Sequence, residues 1–256
     1  MADIWVGTSG WNYNHWRNVF YPLGLPQRDW LRFYAGHFRT AEINYTHYRQ
    51  PSEKSWGNWR ESVPAGFRFA VKAHRYLTHL RRLKDPEDSL RRVIEGAECL
   101  GPALGPILYQ LPPAFHRTPE NIEALTRFLR LLPRRHQHAL EFRHNSWFGS
   151  ETLDLLRGYG AAFCSYDMPG IECPLVATTH FAYIRFHGPG TRYSGCYTDG
   201  MLADWAARIR ALADHLNDVF IYFNNDVGGH AVDNAQTLAR LLCAPSAAVA
   251  KPAPVR

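Results

Sequence analysis

Charged and amide side chains recur in this chain directly after short apolar segments, where they could transfer protons or hold an anion. The clearest case begins at Val219, where five apolar residues run straight into Asn224, Asn225 and Asp226. The other apolar segments end in polar side chains of the same kinds: Ser9, Glu42, Asn44, Lys72, Gln110, Glu141, Arg143, Asp167, Arg185 and His187. Buried polar groups are costly unless they are paired. Their repetition at the ends of segments therefore predicts a functional site.

Acid–base chemistry is the first interpretation of this set. Glu141 or Asp167 is the predicted general base and His187 the predicted general acid, because these side chains commonly transfer protons in hydrolytic or phosphoryl-type steps. Arg143, Arg185 and Lys72 are the predicted anchors of an anionic group. A guanidinium holds phosphate or carboxylate in a two-point geometry, which makes a phosphate-bearing ligand the expected class.

The remaining predicted binding residues are amides, one carboxylate and two aromatic rings. They are Glu42, Asn44, Gln110, Asn224, Asn225, Trp11 and Tyr197. Bases and sugar rings stack on tryptophan and tyrosine faces. Alternation along a strand places Asn224 and Asn225 on opposite sides, so we expect one to face the ligand and the other to hold neighbouring loops.

Other chemistries remain open for the same residues. Glu42 and Glu141 would serve a carbohydrate-active hydrolase, although they lie three strands apart. A divalent metal would have carboxylate and histidine ligands, including His74 and Asp226, but the interleaved cations disfavour it and leave the metal unassigned. A desolvated Lys72 would form a Schiff base, yet we expect the nearby acids to keep it charged.

A purely structural role is the simplest alternative. Three acids (Glu42, Glu141, Asp226) and three bases (Lys72, Arg143, Arg185) would balance one another in a self-contained ion network. No organic cofactor motif is found, because the first predicted strand runs into Gly7-Thr8-Ser9-Gly10-Trp11, which is not the GxGxxG turn of dinucleotide-binding folds.

The elements that must position these residues alternate along the chain. Strand character is found at 4–7, 40–46, 67–73, 106–111, 138–144, 161–167, 181–187 and 219–225. Helical patterns are found at 27–38, 85–101, 118–132, 150–159, 199–217 and 229–243. Strands that alternate with helices form parallel sheets with right-handed crossovers.

Eight such units predict an α/β fold, a single (β/α)₈ TIM-like barrel over residues 1–243. The segment 168–180 contains Pro169-Gly170 and Pro174, so the helix after strand 6 is expected to be weak or missing. The Ala/Pro-rich residues 244–256 are predicted to form a flexible tail. In this fold the carboxyl ends of the strands form the functional mouth, which is where the polar residues fall.

Composition limits the partners. The chain has 256 residues and a formal net charge of +6, which favours an anionic small molecule or nucleic acid as partner. It has no apolar run long enough to span a membrane and no signal-peptide pattern, so we expect a cytoplasmic protein without membrane contact. The five cysteines are scattered, as expected for reduced thiols. No obligate protein partner is evident.

Several motifs together resemble the YecE-like family, whose common domain is known as domain of unknown function seventy-two. They are GTSGWNYNHWRNVFYP (7–22), AEINYTHY (41–48), FRFAVKA (67–73) followed by Thr78-His79, YQLPPAF (109–115), LEFRHNSW (140–147), YIRFHG (183–188) and FNNDVGGHAVDNA (223–235). The resemblance implies a TIM-like barrel and supplies no reaction. We therefore expect an enzyme, with hydrolase as the candidate class, that acts on a phosphate-bearing nucleotide or nucleic-acid-like ligand. The alternatives are a non-catalytic nucleic-acid-binding protein and a carbohydrate-active hydrolase.

Overall fold

Parallel strand pairing organises the computed structural model, which describes residues 2–190 and 193–243. The strands are β1 (Asp3–Thr8), β2 (Thr40–Ile43), β3 (Arg68–Lys72), β4 (Leu104–Gln110), β5 (His138–Glu141), β6 (Ala162–Asp167), β7 (Phe181–Phe186) and β8 (Asp218–Phe223). They form one sheet in the order β1-β8-β7-β6-β5-β4-β3-β2. A parallel bridge between Ser9 and Glu42 joins its two end strands. The sheet is therefore a nearly closed barrel, as predicted.

Helices connect the strands. They are α1 (Trp30–Ala35), α2 (Tyr45–Tyr48), α3 (Glu53–Glu61), α4 (Glu87–Glu98), α5 (Pro119–Leu131), α6 (Ser150–Tyr159), α7 (Asp199–Ala213) and α8 (His230–Cys243), with a π-helix at Tyr76–Leu80. Residues 168–180 contain no helix, which confirms the prediction for the connection after β6. Thr118 caps α5 as its sequence predicts, by accepting a hydrogen bond from the backbone of Asn121.

The connection between β2 and β3 differs from the prediction. The predicted strand extends to Thr46, whereas β2 ends at Ile43 and α2 begins at Tyr45. The Thr46 hydroxyl donates to the backbone oxygen of Lys72 at 2.7 Å, so it braces β3 instead of pointing into the barrel. The sequence did not predict α3 at all. Its segment EKSWGNWRE buries only Trp56 and has a central glycine, so its helical periodicity is weak.

Inside the barrel, apolar side chains fill the amino-terminal half. We call this group the apolar plug: Trp5, Ala70, Leu108, Ala139, Ala162, Phe181 and Phe220. Trp5 stacks on Phe220 with ring centroids 5.9 Å apart, and its indole nitrogen donates to Asp218 at 2.9 Å. Alternation along the strands then places polar side chains above the plug, towards the carboxyl ends.

The predicted tail at 244–256 lies outside the described residues. Among the residues that the structure does describe, no helix has the length and apolar character needed to cross a membrane.

Candidate functional site at the barrel mouth

A buried ion network occupies the barrel axis above the apolar plug. Arg185 on β7 donates from Nη2 to Oε1 of Glu42 on β2 at 2.7 Å, and from Nη1 to Oε2 of Glu141 on β5 at 2.7 Å. All three side chains are fully buried. We call Glu42, Glu141, Arg143 and Arg185 the central ion network. The guanidinium fills the space between the two carboxylates, so they do not form the acid–base pair of a glycosidase.

Further hydrogen bonds hold each carboxylate in place. Glu42 accepts from the Ser9 hydroxyl at 2.8 Å and from the Tyr183 hydroxyl at 2.6 Å. Glu141 also forms an ion pair with Nε of Arg143 through Oε1. Burial raises the pKa of Glu141, but the charges of Arg143 and Arg185 outweigh burial and hold that pKa well below its usual range. Such a carboxylate is an anchor for cations and a poor general base.

His187 lies fully buried beside the network. Nη2 of Arg143 donates to Nε2 of His187 at 2.9 Å, and the amide nitrogen of Asn224 lies 3.3 Å from Nδ1. Burial, followed by the charges of Arg143 and Arg185, lowers the pKa of His187 far below its ordinary value. The imidazole is therefore neutral and its Nε2 is occupied as an acceptor. This arrangement does not support the predicted role of His187 as a general acid.

Above the network lies a cavity of about 630 Å³, which we call the mouth cavity. Its walls are largely aromatic, with amides, one lysine and one carboxylate among them. The lining residues are Gly10, Trp11, Asn12, Tyr13, Ile43, Asn44, Tyr45, Tyr48, Trp59, Lys72, Tyr193, Asn224 and Asp226. Asn44 Oδ1 is buried and accepts no hydrogen bond from the described residues, so it is an unsatisfied acceptor in the wall of the cavity. Flat rings and convergent polar groups suit a ligand with a ring system.

Lys72 is the cation of the mouth cavity. Lys72 is the last residue of β3, its side chain lines the cavity, and the residue is only 9% exposed. Its Nζ forms no hydrogen bond or ion pair with any residue in the described ranges. Burial and the charge of Arg185 lower the pKa of Lys72 to about 7, against the opposing effect of Glu42 and Glu141. The nearby acids act in the expected direction and raise the pKa of Lys72, but burial and the charges of Arg185 and Arg143 outweigh them.

Asp226 is the carboxylate of the same cavity. It follows β8, and its Oδ2 lies 3.3 Å from Nε2 of His15. Burial raises the pKa of Asp226, partly opposed by a hydrogen bond from its own backbone and by His15. The mouth cavity thus contains a base whose pKa is lowered and an acid whose pKa is raised. Opposite displacements of this kind commonly mark acid and base partners in enzyme sites.

Arg143 borders a second cavity, of about 850 Å³, which we call the Arg143 recess. The recess lies between the loops that follow β5 and β6, and is lined by Arg143, His144, Asn145, Phe148, Gly170, Ile171 and Glu172. The Arg143 residue is 8% exposed. Its guanidinium lies 4.8 Å from the ring centre of Tyr166, and Nη1 lies 3.2 Å from the sulfur of Met168. Of the two predicted arginine anchors, Arg143 reaches open space and Arg185 does not.

Several predicted site residues, including the predicted general base Asp167, line neither cavity. Asp167 lies on the outward side of β6, where it accepts a hydrogen bond from the buried hydroxyl of Tyr197 at 2.6 Å. Asn225 is fully buried and donates to the backbone of Gly195 at 2.8 Å and to Asn234 at 2.9 Å. Asp167, Tyr197 and Asn225 therefore hold the loop after β7, while Asn224 faces the mouth cavity. Gln110 pairs in register with Glu141 at the end of β4.

Trp59 and Asn12 are among the residues of the mouth cavity that sequence reasoning missed. Trp59 lies on α3, a helix that the sequence did not predict, and packs edge-on against Trp11 at 5.8 Å. Asn12 lies in the loop after β1 and accepts a hydrogen bond from Gln27 at 2.7 Å. The pattern WxxW at Trp56 and Trp59 was the available signal, because this spacing places both rings on neighbouring positions of a helix.

No group of three or more histidine, cysteine, aspartate or glutamate side chains suited to a metal occurs in residues 2–190 and 193–243. The histidines near Lys72 are paired elsewhere: Nδ1 of His47 lies 3.0 Å from the backbone oxygen of Ala73, and its ring packs against His79.

Comparison with known proteins identifies one family and several related sequences. The family profile "Protein of unknown function DUF72" matches residues 5–256. UPF0759 protein YunF of Bacillus subtilis is 29% identical over 93% of this chain and 94% of its own length. UPF0759 protein YecE of Escherichia coli K12 is 31% identical over 60% of this chain and 54% of its own length.

Solved structures give the same relationship. A DUF72 family protein from Thermotoga maritima superposes with a TM-score of 0.87 and 30% identity, covering 94% of this chain and 99% of that one. A DUF72 family protein from Enterococcus faecalis superposes with a TM-score of 0.76 at 21% identity, covering 93% and 95%, and supports the fold alone.

Proposed function

Because the chain belongs to the DUF72 family of proteins of unknown function, we propose its activity from the residues of its own barrel mouth. We propose an enzyme that acts on a phosphate-bearing, nucleotide-like ligand. In this proposal the ring system of the ligand binds in the mouth cavity, Arg143 contacts its anionic group, and Lys72 is the group at the reacting centre.

The observation that carries the proposal is the unpartnered amine of Lys72 in an aromatic cavity. A structural ion network would pair every buried charge, because an unpaired buried charge is costly. The central ion network does so for Glu42, Glu141 and Arg185. Lys72 has no such partner among the described residues. A titratable group with a displaced pKa that lies in a cavity is typical of functional sites.

The two cavities offer complementary contacts. Arg143 lines the recess, and two-point contact with phosphate is the interaction that guanidinium groups favour. Trp11, Tyr45 and Trp59 line the mouth cavity and would provide aromatic contacts for a planar ring, and Asn44 lies in the same wall with an unsatisfied Oδ1. Burial and the charge of Arg185 lower the pKa of Lys72 to about 7, and burial raises the pKa of Asp226, so the two groups are suited to general acid–base catalysis.

Calorimetric titration of nucleoside 5′-monophosphates tests this proposal. We expect wild-type protein to bind at least one of them, and Lys72→Met and Arg143→Lys each to weaken binding at least about 10-fold, since a charge-assisted hydrogen bond contributes about 1.5–3 kcal/mol. Lys84→Met, on the exposed surface, is the matched control and leaves binding unchanged.

Two results would contradict the proposal. One is the absence of binding of every nucleotide and of pyrophosphate by the wild-type protein at low salt. The other is equal affinity of the wild type and Lys72→Met, provided that thermal melts show both proteins folded.

Non-catalytic binding of single-stranded nucleic acid is the second candidate. The observation that favours it is a set of exposed tyrosines around the mouth, which we call the tyrosine rim: Tyr45, Tyr48, Tyr76 and Tyr193. Bases stack on such rings with little sequence preference.

A further inference from the structure

The position of Lys72 is fixed more firmly than that of a surface lysine. Its backbone pairs with Leu108 of β4, and its carbonyl oxygen accepts a hydrogen bond from Thr46 at 2.7 Å. The side chain extends along the inner face of the barrel into the mouth cavity. An amine held on a strand, in an aromatic cavity, resembles the arrangement required for covalent catalysis by lysine.

We infer that the amine of Lys72 is a nucleophile, which forms an imine with an aldehyde or ketone group of a ligand in the mouth cavity. The inference rests on the proposed function for the location of the reaction. It adds a carbonyl group to the substrate class, and it does not require the ligand to carry phosphate.

The covalent step balances without an external oxidant or reductant. The lone pair of Nζ attacks the carbonyl carbon and forms the C–N bond, while the π electrons of C=O move to oxygen. Proton transfer from nitrogen to oxygen gives a carbinolamine. Loss of the hydroxyl group with the second amine hydrogen then gives the C=N bond and one molecule of water. We assign the protonation of the departing hydroxyl to Asp226, the carboxyl group of the same cavity.

Electrostatics provides the neutral amine that the first step needs. Only an unprotonated amine is nucleophilic, and an ordinary lysine is almost fully protonated at neutral pH. Burial and the neighbouring Arg185 lower the pKa of Lys72 to about 7, with Arg143 acting in the same direction and Glu42 and Glu141 opposing. A large fraction of Lys72 is therefore neutral near neutral pH, and Lys54 and Lys84, which lie on the exposed surface, are suitable for comparison.

Reductive trapping tests the inference on the full-length protein. The protein is incubated at pH 7.5 with pyridoxal or pyridoxal 5′-phosphate, reduced with borohydride, digested and mapped by mass spectrometry. We expect Lys72 to be labelled at least 10-fold faster than Lys54 and Lys84, which serve as controls within the same molecule. We expect Asp226→Asn to slow labelling of Lys72 alone, with no change in Tm.

The outcomes separate the two proposals. Labelling of Lys72 by both aldehydes at the same rate supports imine formation and counts against a phosphate site. Equal labelling of Lys72, Lys54 and Lys84 overturns the imine, even if nucleoside monophosphates bind with an affinity that depends on Lys72. Loss of the Lys72 adduct in the presence of a bound nucleotide supports one shared site. Labelling of Lys72 at the full rate in the presence of that nucleotide places the nucleotide elsewhere and contradicts the shared site.

Discussion

Arg185 and Lys72 are both basic residues on the inner face of the barrel, but their surroundings give them different roles. The planar guanidinium of Arg185 reaches Glu42 with one nitrogen and Glu141 with another, so a single cation satisfies two carboxylates from opposite walls. Those two acids already bind Arg185, so the single amine of Lys72 has no carboxylate partner of its own among the described residues. One residue therefore contributes to the integrity of the barrel, and the other is available for chemistry.

Removal of the Arg185 charge tests this division. Arg185→Met leaves Glu42 and Glu141 buried, with two of their charge-assisted hydrogen bonds lost. We expect the free energy of unfolding to fall by about 3–5 kcal/mol, the cost of breaking a buried ion pair from one side. Urea denaturation measures this loss. Arg135→Met, which removes an exposed ion pair with Glu98, is the control, with an expected loss below about 1 kcal/mol. Equal losses in the two variants would contradict the assignment.

The lowered pKa of Lys72 predicts how stability depends on pH. Between the folded pKa of about 7 and the unfolded value of about 10.4, the unfolded chain binds more protons than the folded chain. The free energy of unfolding contributed by Lys72 therefore rises with pH across this window, by at most ~1.4 kcal/mol per pH unit. Below pH 7 the wild type carries the full cost of burying the charge.

Lys72→Met removes that cost. We expect this variant to exceed the wild type in stability most clearly at pH 6, with the difference shrinking as pH rises to 9. Urea unfolding of both proteins at pH 6, 7.5 and 9 measures it. Lys84→Met controls for loss of one positive charge on the surface. A difference that stays constant with pH would show that Lys72 titrates normally.

The position of several residues at the barrel mouth was predictable from the sequence, but the contacts that they make were not. Glu141, Arg143, Lys72 and Asn224 all lie at the mouth as the strand ends indicate. Whether a carboxylate is a base or an anchor depends on which cation meets it across the barrel. Arg185 meets Glu42 and Glu141 across 143 and 44 residues of chain, and no local pattern specifies that pairing.

At the scale of elements, the seam between β1 and β2 depends on one glycine. Gly7 faces the barrel interior, and a Cβ atom there would overlap the carbonyl oxygen of Thr40 on β2. Two residues further along, Ser9 bridges to Glu42 and donates to its carboxylate. The absence of a side chain at position 7 thus lets the two end strands approach and orients one acid of the central ion network.

Gly7→Ala is expected to force these strands apart and to destabilise the protein by at least about 1–3 kcal/mol, the usual cost of overpacking in a core. Gly57→Ala on α3 is the matched control: nothing lies near its added methyl group, and it should stabilise by about 0.5–1 kcal/mol through helix propensity. Thermal melts measure both. A Gly7→Ala variant as stable as the wild type would contradict the tight seam.

All eight strands were predictable because each is a short apolar run with β-branched or aromatic residues. The errors lie in the connection from β2 to β3. Alternating Glu42, Asn44 and Thr46 continue the strand pattern past Ile43, but Thr46 turns away to bond the backbone of Lys72. Such a tertiary bond overrides local propensity, and α3, with one buried residue, has too little amphipathic signal to be detected.

For the molecule as a whole, the net charge of +6 and the tyrosine rim lead to a test of nucleic-acid binding. If single-stranded DNA binds, its affinity should fall steeply between 50 and 200 mM salt, in proportion to the number of phosphates contacted. Tyr45→Ala and Tyr48→Ala should each weaken binding by about 1–3 kcal/mol per lost stacked base. Fluorescence anisotropy measures both effects. Phe148→Ala, at the Arg143 recess, is the comparison variant. Affinity that does not change with salt, or with either tyrosine, would contradict this mode.

The apolar plug has a consequence for the order of binding. Because Trp5 and Phe220 close the barrel beneath the polar residues, a ligand would enter and leave the mouth cavity at the carboxyl ends of the strands and not through the barrel. A reaction with two substrates would then proceed in a fixed sequence, with the partner of Lys72 seated first and the second substrate above it. The last product formed near the rim would leave first, and a product still held at the base of the cavity would compete directly with the next substrate.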